Sequence, residues 1–176
     1  FLKAKISDIA KLANVSDGSI YEYFESKEDL LFSIPRRHFK KYADKLKDAF
    51  DISEYDRRLR RVINYTFLYF LRNPDFLKVF ILNLQLNYHF YLSESYAEYR
   101  SYMDFFDTII NKGKKQGTFR NDMNTRVVRN MFLGAFNHMN LRWLILGEAA
   151  DRLQEVDSLS YLLSLAIMPD ATAGDM

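Results

Sequence analysis

The sequence predicts an all-α protein. Apolar residues recur at spacings of three and four along nearly the whole chain, the repeat of one helix face. No stretch alternates apolar and polar residues as a half-buried strand would. Caps and breakers cut the pattern into segments of ordinary helix length, with no Gly-rich linker and no internal repeat.

The first elements lie in residues 6–31. Ile6, Ile9, Ala10 and Ala13 fall at i, i+3, i+4 and i+7 of one face. Asn14 follows, a residue that tolerates the left-handed conformation ending many helices. Ser16 is a ready N-cap for a second helix running through Phe24. Ser26 with Asp29 forms a capping box for a third, with Glu28 and Asp29 in its first turn.

The third helix extends from Lys27 to about Phe50 as an amphipathic segment that Pro35 would kink or divide. Ser53 with Asp56 marks the next start. Leu59, Val62, Ile63, Thr66, Phe67, Phe70 and Leu71 form its stripe, with arginines mostly off it. Asn73-Pro74 ends that helix and opens another. Asp75 to about Leu92 is apolar nearly all round and is predicted to be a largely buried helix. Glu94–Gln116 follows, with Tyr99, Tyr102, Met103, Phe106, Ile109 and Ile110 on one face. Lys114 and Lys115 complement its dipole, and Gly117 sits at C′. Thr125 to about Leu146 carries Val128, Met131, Phe132, Ala135, Phe136, Met139 and Trp143 on a stripe. Residues 147–157 read as a polar linker, and a last helix spans about Ser158–Met168, stopped by Pro169.

Composition narrows the function. Of 176 residues, 48% are hydrophobic and 16% aromatic, which excludes a disordered chain. The absence of cysteine excludes disulfides and thiolate metal sites and fits a reducing cytoplasm. Three histidines without an HxxH-type cluster argue against a metal centre. No apolar run has membrane-spanning length, and no signal peptide is visible. An enzyme finds no support: there is no nucleophile motif, no phosphate-cradling Gly-rich loop and no metal spacing, and no cofactor is expected. The net charge of +2 is weak support for a nucleic-acid partner. Residues 1–27 balance Lys3, Lys5, Lys11 and Lys27 against Asp8, Asp17, Glu22 and Glu25. A basic run from Arg36 to Lys47 is read first as a solvated helix face.

Two short helices joined by so tight a turn form a helix-turn-helix, whose second helix lies in the DNA major groove. The run IAKLANVSDGSIYEYFESKEDLL closely resembles the DNA-binding signature of the TetR family of bacterial repressors. The matching positions are Ile9-Ala10, Ala13, Val15-Ser16, Gly18, Ile20-Tyr21, Tyr23-Phe24, Ser26-Lys27 and Leu30-Leu31. The resemblance implies a DNA reader over residues 1–34, a helical ligand-binding and dimerisation domain over 35–170 and a frayed tail at 171–176. It also implies a further helix before the reader pair, almost wholly absent from this sequence.

On double-stranded operator DNA, the resemblance places Ser16, Asp17, Ser19 and Tyr23 near base edges or phosphates, and the Tyr21 hydroxyl on the backbone. Lys27 and the helix start beside it would meet the same phosphate. Gly18 would let the backbone approach the sugar-phosphate chain. Lys5 stands where the family often has a capping Thr, and Ser7 and Lys11 are weaker contacts. Tyr21 and Tyr23 have an alternative as core residues beside Phe24. A homodimer is expected to read a palindrome, its interface built from the last two helices, with Val128, Met131, Ala135, Leu162, Leu163 and Ala166.

The resemblance also implies a pocket for a hydrophobic effector among the middle helices, which this chain would line with Phe67, Phe70, Phe80, Leu84, Tyr88, Phe105, Phe106, Ile109, Phe136 and Met139. His89 and His138 would orient the ligand, with Asn83, Asn87 and Asn137 as further polar groups. About half of this set is expected to be ordinary core. Phe119-Arg120, Asp122, Phe132, Gly134-Ala135, His138 and Trp143 carry a looser resemblance to TetR-type regulators of fatty acid metabolism, which bind long-chain acyl-CoA; a planar drug or another lipid is the competing ligand. The expected activity is that of a ligand-released repressor. The alternative is a helical DNA-binding scaffold or activator without small-molecule sensing.

Overall fold

The computed structural model describes residues 4–47, 54–147 and 152–169, and no strand occurs among them. A small reader unit leads with α1 (Ile6–Ala13) and α2 (Asp17–Tyr21), followed by the long α3 (Lys27–Lys47). The body contains α4 (Tyr55–Leu71), α5 (Pro74–Val79), α6 (Glu94–Lys115), α7 (Thr125–Leu146) and α8 (Arg152–Ile167).

The local signals around the reader act as the sequence indicates, with two differences. Asn14 adopts the left-handed conformation (φ 55°, ψ 44°). The Val15 N–H donates to the Ala10 carbonyl at 3.0 Å and the Asn14 N–H to Lys11 at 3.2 Å, a Schellman closure of α1. Ser16 Oγ caps α2 by accepting the Ser19 N–H at 3.0 Å. α2 stops at Tyr21 instead of running to Phe24, because the N–H groups of Tyr23 and Phe24 both return to the Ile20 carbonyl. That turn folds Phe24 back onto the small core of Ile6, Ala10 and Ile20. Ser26 Oγ accepts the Asp29 N–H at 3.0 Å, but the Asp29 carboxylate takes the N–H of Glu25 at 3.1 Å, so the capping box is shifted by one residue.

Pro35 neither divides nor ends α3. It removes the donor that the Leu31 carbonyl would otherwise meet. The helix persists because Leu31, Phe39, Tyr42 and Leu46 are buried in the main core. Ser53, proposed above as a cap, and the tail at 171–176 lie outside the described residues.

α3 packs along α6, α4 packs on both α6 and α8, and α7 packs on α6. The continuous buried helix expected over Asp75–Leu92 does not form. α5 passes into a wider π turn (Phe80–Leu84) and, after a break, a 3-10 turn (Tyr88–Leu92). Asn87 causes the restart: its backbone is extended and its side chain accepts the His89 N–H at 2.9 Å. The break turns Leu86, Tyr88 and Leu92 to solvent, where they are 79%, 71% and 68% exposed. α8 begins at Arg152 rather than near Ser158, so the region expected as linker through Asp157 is partly helix. Val156, Ser160, Leu163, Ser164 and Ile167 supply its buried side, which extends the apolar register one turn upstream of Leu159.

Candidate functional site

In the reader, Tyr21 and Tyr23 are 58% and 79% exposed, which settles them as surface residues. Lys5, Ser7, Lys11, Ser16, Asp17 and Gly18 are also exposed, whereas Ser19 is half-buried. Ser16, Ser19 and the half-buried Lys27 already have partners within the chain. Ser16 Oγ and Ser19 Oγ lie 2.9 Å apart, so the capping hydroxyl is engaged on both sides. Lys27 Nζ donates to the Ala4 carbonyl at 3.1 Å and pins the strand of chain before α1 to the start of α3. Gly18 differs: a Cβ built there meets only Ser16 Oγ, at an ordinary 3.6 Å. Nothing among the described residues requires glycine at that position.

In the body, a small apolar cavity of about 10 Å³ lies where α3, α4, α6 and α7 converge. Phe39 and Tyr42 come from α3, Thr66 and Phe70 from α4, Tyr99 and Tyr102 from α6, Phe132, Leu133 and Phe136 from α7, and Phe80 from the π turn. At that size it holds about one water, against about 300–1,000 Å³ for a typical ligand pocket. Aromatic packing closes it: Phe106 and Phe132 stack at 5.0 Å, and Phe67 and Phe136 approach to 5.1 Å. Three hydroxyls also face this point. Tyr42 and Tyr102 lie 2.8 Å from Thr66 Oγ1, which donates to the Val62 carbonyl at 2.7 Å. With the Thr66 proton committed, both tyrosines donate to its oxygen. Burial raises both phenol pKa values, that of Tyr102 to about 12. The network joins the long helix of the reader side to two walls of the cavity.

Of the residues expected to line a pocket, Phe70, Phe80 and Phe136 do so. Phe67, Leu84, Phe106 and Ile109 are buried behind them, and Phe105 is half-buried against the same core. Tyr88 and His89 do not approach the cavity, because the break at Asn87 carries them to the surface. His138 and Met139 line a separate cleft of about 610 Å³ between α7 and α8, with Trp143 and Leu162. The sequence reading missed Phe39, Tyr42, Thr66, Tyr99, Tyr102, Phe132 and Leu133 as lining. The spacing of Phe39, Tyr42 and Leu46 on an otherwise basic helix is the signal that could have found the α3 contribution.

The expected interface residues also separate. Met131, Leu162 and Ala166 face outward and Ala135 is half-exposed, whereas Val128 and Leu163 are buried within the subunit. Val127, Ile145, Leu146, Leu153, Tyr161 and Leu165 are further exposed apolar residues on α7 and α8.

A second opening between α6 and α7, of about 450 Å³, is polar and carries Arg100, Arg126 and Arg129. Arg129 pairs there with Asp107, whose carboxyl is shifted upward by desolvation, an effect that Arg129 opposes. No helix among the described residues is long and apolar enough to cross a membrane.

Comparison with known proteins gives matches over most of the chain. A family model described as bacterial regulatory proteins, tetR family, matches residues 1–34, and one described as YsiA-like protein, C-terminal region, matches 35–166. The fatty acid metabolism regulator protein of Bacillus subtilis is 26% identical over 165 residues, covering 92% of this chain and 84% of that protein. The HTH-type transcriptional repressor NicS of Pseudomonas putida is 25% identical over 175 residues, covering 95% and 82%. The crystal structure of the regulator FadR from Bacillus subtilis in complex with stearoyl-CoA superimposes with a TM-score of 0.85 at 25% identity, covering 94% of this chain and 89% of that one.

Proposed function

The chain belongs to the TetR family of DNA-binding transcriptional regulators, and from that premise we propose that it is a dimeric repressor released from a palindromic operator by a long-chain acyl-CoA. The observation that carries the effector reading is the aromatic cavity at the meeting point of α3 with α4, α6 and α7. It is apolar, and it touches the helix that leads to the reader. The likeness to a regulator crystallised with stearoyl-CoA supports the choice of ligand class.

In this reading Tyr21, Tyr23, Lys5, Ser7, Asp17 and the Gly18 backbone meet the DNA. Ser16, Ser19 and Lys27 shape the surface that presents them. The outward residues of α7 and α8 pair two subunits, setting the spacing of the two readers. In this reading the closed core belongs to the DNA-binding state. An acyl chain needs the aromatic rings to part, so it binds the parted state better and draws the population toward it. Coupling to DNA follows only if that state also holds α3 differently.

The closed core also favours a second reading, a DNA-binding regulator with a solid body and no small-molecule sensing. One experiment separates them. Duplexes selected from a random pool by the full-length protein are labelled, and their anisotropy is followed as stearoyl-CoA is added. Selection of a palindrome and its release by micromolar stearoyl-CoA is the expected result. A palindrome that stays bound at every concentration overturns the acyl-CoA reading and favours the solid body, and failure to select any palindrome overturns the dimeric operator.

A further inference from the structure

The polar cleft between α6 and α7 and the apolar cavity in the core are neighbours through shared walls. Tyr99 and Leu133 line both. On the cleft side stand Arg100 and Arg126, exposed and without an ion pair among the described residues, and the half-buried Arg129. Two carboxylates, Asp104 and Asp107, share the cleft, so the five charged groups sum to one net positive charge. Asp107 Oδ2 takes the Arg129 guanidinium, while Asp107 Oδ1 is buried with no hydrogen-bond partner. The arrangement therefore offers guanidinium donors at the rim, one unsatisfied acceptor deeper in, and an aromatic interior behind two side chains.

Resting on the acyl-CoA reading above, we propose that this cleft is where the head of the thioester binds. Its phosphates lie against Arg100 and Arg126, with Arg129 behind them, and its chain passes between Tyr99 and Leu133 into the core. Guanidinium groups suit phosphate oxygens because their planar fork donates two parallel hydrogen bonds. The linker of such a thioester carries amide N–H groups, and one of these would satisfy Asp107 Oδ1, which otherwise bears the cost of an unpaired buried acceptor. A single carboxylate engages at most one of these guanidinium forks, whereas several phosphates engage more than one, so the cleft favours a phosphate-bearing thioester over a free fatty acid.

The competing position for an anionic head is the cleft of about 630 Å³ between α3 and α4, which carries Lys41, Lys45 and Arg72. It shares no lining residue with the core cavity, so a head bound there would have no direct path for its chain.

The test compares stearoyl-CoA and stearate binding by calorimetry for the full-length protein, the double variant Arg100→Ala/Arg126→Ala, and the control Lys41→Ala/Arg72→Ala. All four side chains are exposed, so the folded state is expected to be retained, and a thermal midpoint checks it. The α6–α7 variant should weaken stearoyl-CoA binding roughly tenfold or more, the scale of losing charge-assisted hydrogen bonds. It should leave stearate within about twofold and shed most of the salt dependence; the control should match the wild type. An unchanged double variant, a larger loss in the control, or equal losses in both overturns the assignment while leaving the acyl-CoA reading in place. A wild type that binds no acyl-CoA overturns that reading, and this site with it.

Discussion

Gly18 in the reader and Gly113 in the body are the same residue under opposite demands. At Gly113 a Cβ would collide with the ring of Phe119, which packs over that turn of α6 and is itself 1% exposed. At Gly18 the chain leaves room for a side chain. The body is thus specified by what it packs against internally, and the reader by what it presents outward. The buried clusters show the same contrast. The reader is held by Ile6, Ala10 and Ile20, with Ile9, Phe24 and Leu30 at the edge. The body is held by one continuous core in which aromatic rings meet from α3 to α7.

If that contrast is right, the largest stability losses come from the body. Phe106 is 0% exposed and stacked on Phe132, so Phe106→Ala removes a ring from a core with little room to collapse. A loss of about 3–5 kcal/mol is expected in urea unfolding. A loss below about 1 kcal/mol would mean that the closed core is loosely packed. Gly113→Ala is the overpacking counterpart, expected to cost about 1–3 kcal/mol as Phe119 is displaced.

Thr66→Val tests the polar element within this core. Valine keeps the shape but strands the hydroxyls of Tyr42 and Tyr102, each 2.8 Å from Thr66 Oγ1. The expected cost is about 1–3 kcal/mol, with Val62 also losing its side-chain donor. A neutral result would show that the two tyrosines satisfy each other without Thr66.

A smaller, pH-dependent contribution comes from His38, which stacks on Phe76 at 3.9 Å. The Tyr69 hydroxyl donates to the His38 carbonyl at 2.9 Å, so Nδ1 of His38 serves as donor to the Tyr69 oxygen. Desolvation, followed by Lys41 and Arg37, lowers the imidazole pKa below 6.5 in the folded protein. The unfolded chain therefore binds the proton first, and stability falls as pH drops from about 6.5 through the depressed folded value. Unfolding at pH 7 and pH 5 should show a smaller acid-induced loss for His38→Phe than for wild type. Equal losses would assign the pH effect elsewhere.

What the sequence made legible follows the same division. The reader's helices, the Asn14 stop and the Ser16 cap depend on neighbours within a few residues, and each appears in the structure. Gly117, with φ of 74°, is equally visible as a helix stop, whereas Gly147, with φ of 66°, reads only as the start of a linker. The lining of the cavity was not, because burial in a bundle depends on which faces meet. Tyr88 and Phe90 are two residues apart in an apolar run, yet one is 71% exposed and the other 1%. Phe39 and Tyr42 looked like apolar points on a basic helix until α3 was seen packed along α6. Residues 6–31 betray the kind of function because a reader of fixed geometry constrains its own sequence. The core cavity has many apolar solutions, and the residues alone could not say which one this chain uses.

The smallest stability effect is the sharpest test of the contrast. Gly18 lies in α2, a helix of five residues, where alanine is the better helix former by roughly 0.5–1 kcal/mol. Since the Cβ would meet only Ser16 Oγ at 3.6 Å, Gly18→Ala should leave the unfolding midpoint unchanged or slightly raised. On the proposed reading, in which the Gly18 backbone meets the sugar-phosphate chain, the added methyl should nevertheless lower affinity for the selected operator by roughly tenfold. Retained affinity would show that α2 holds its backbone away from DNA. A large loss of stability would mean that Gly18 answers to an internal demand after all, and the reader would then be built on the same rule as the body.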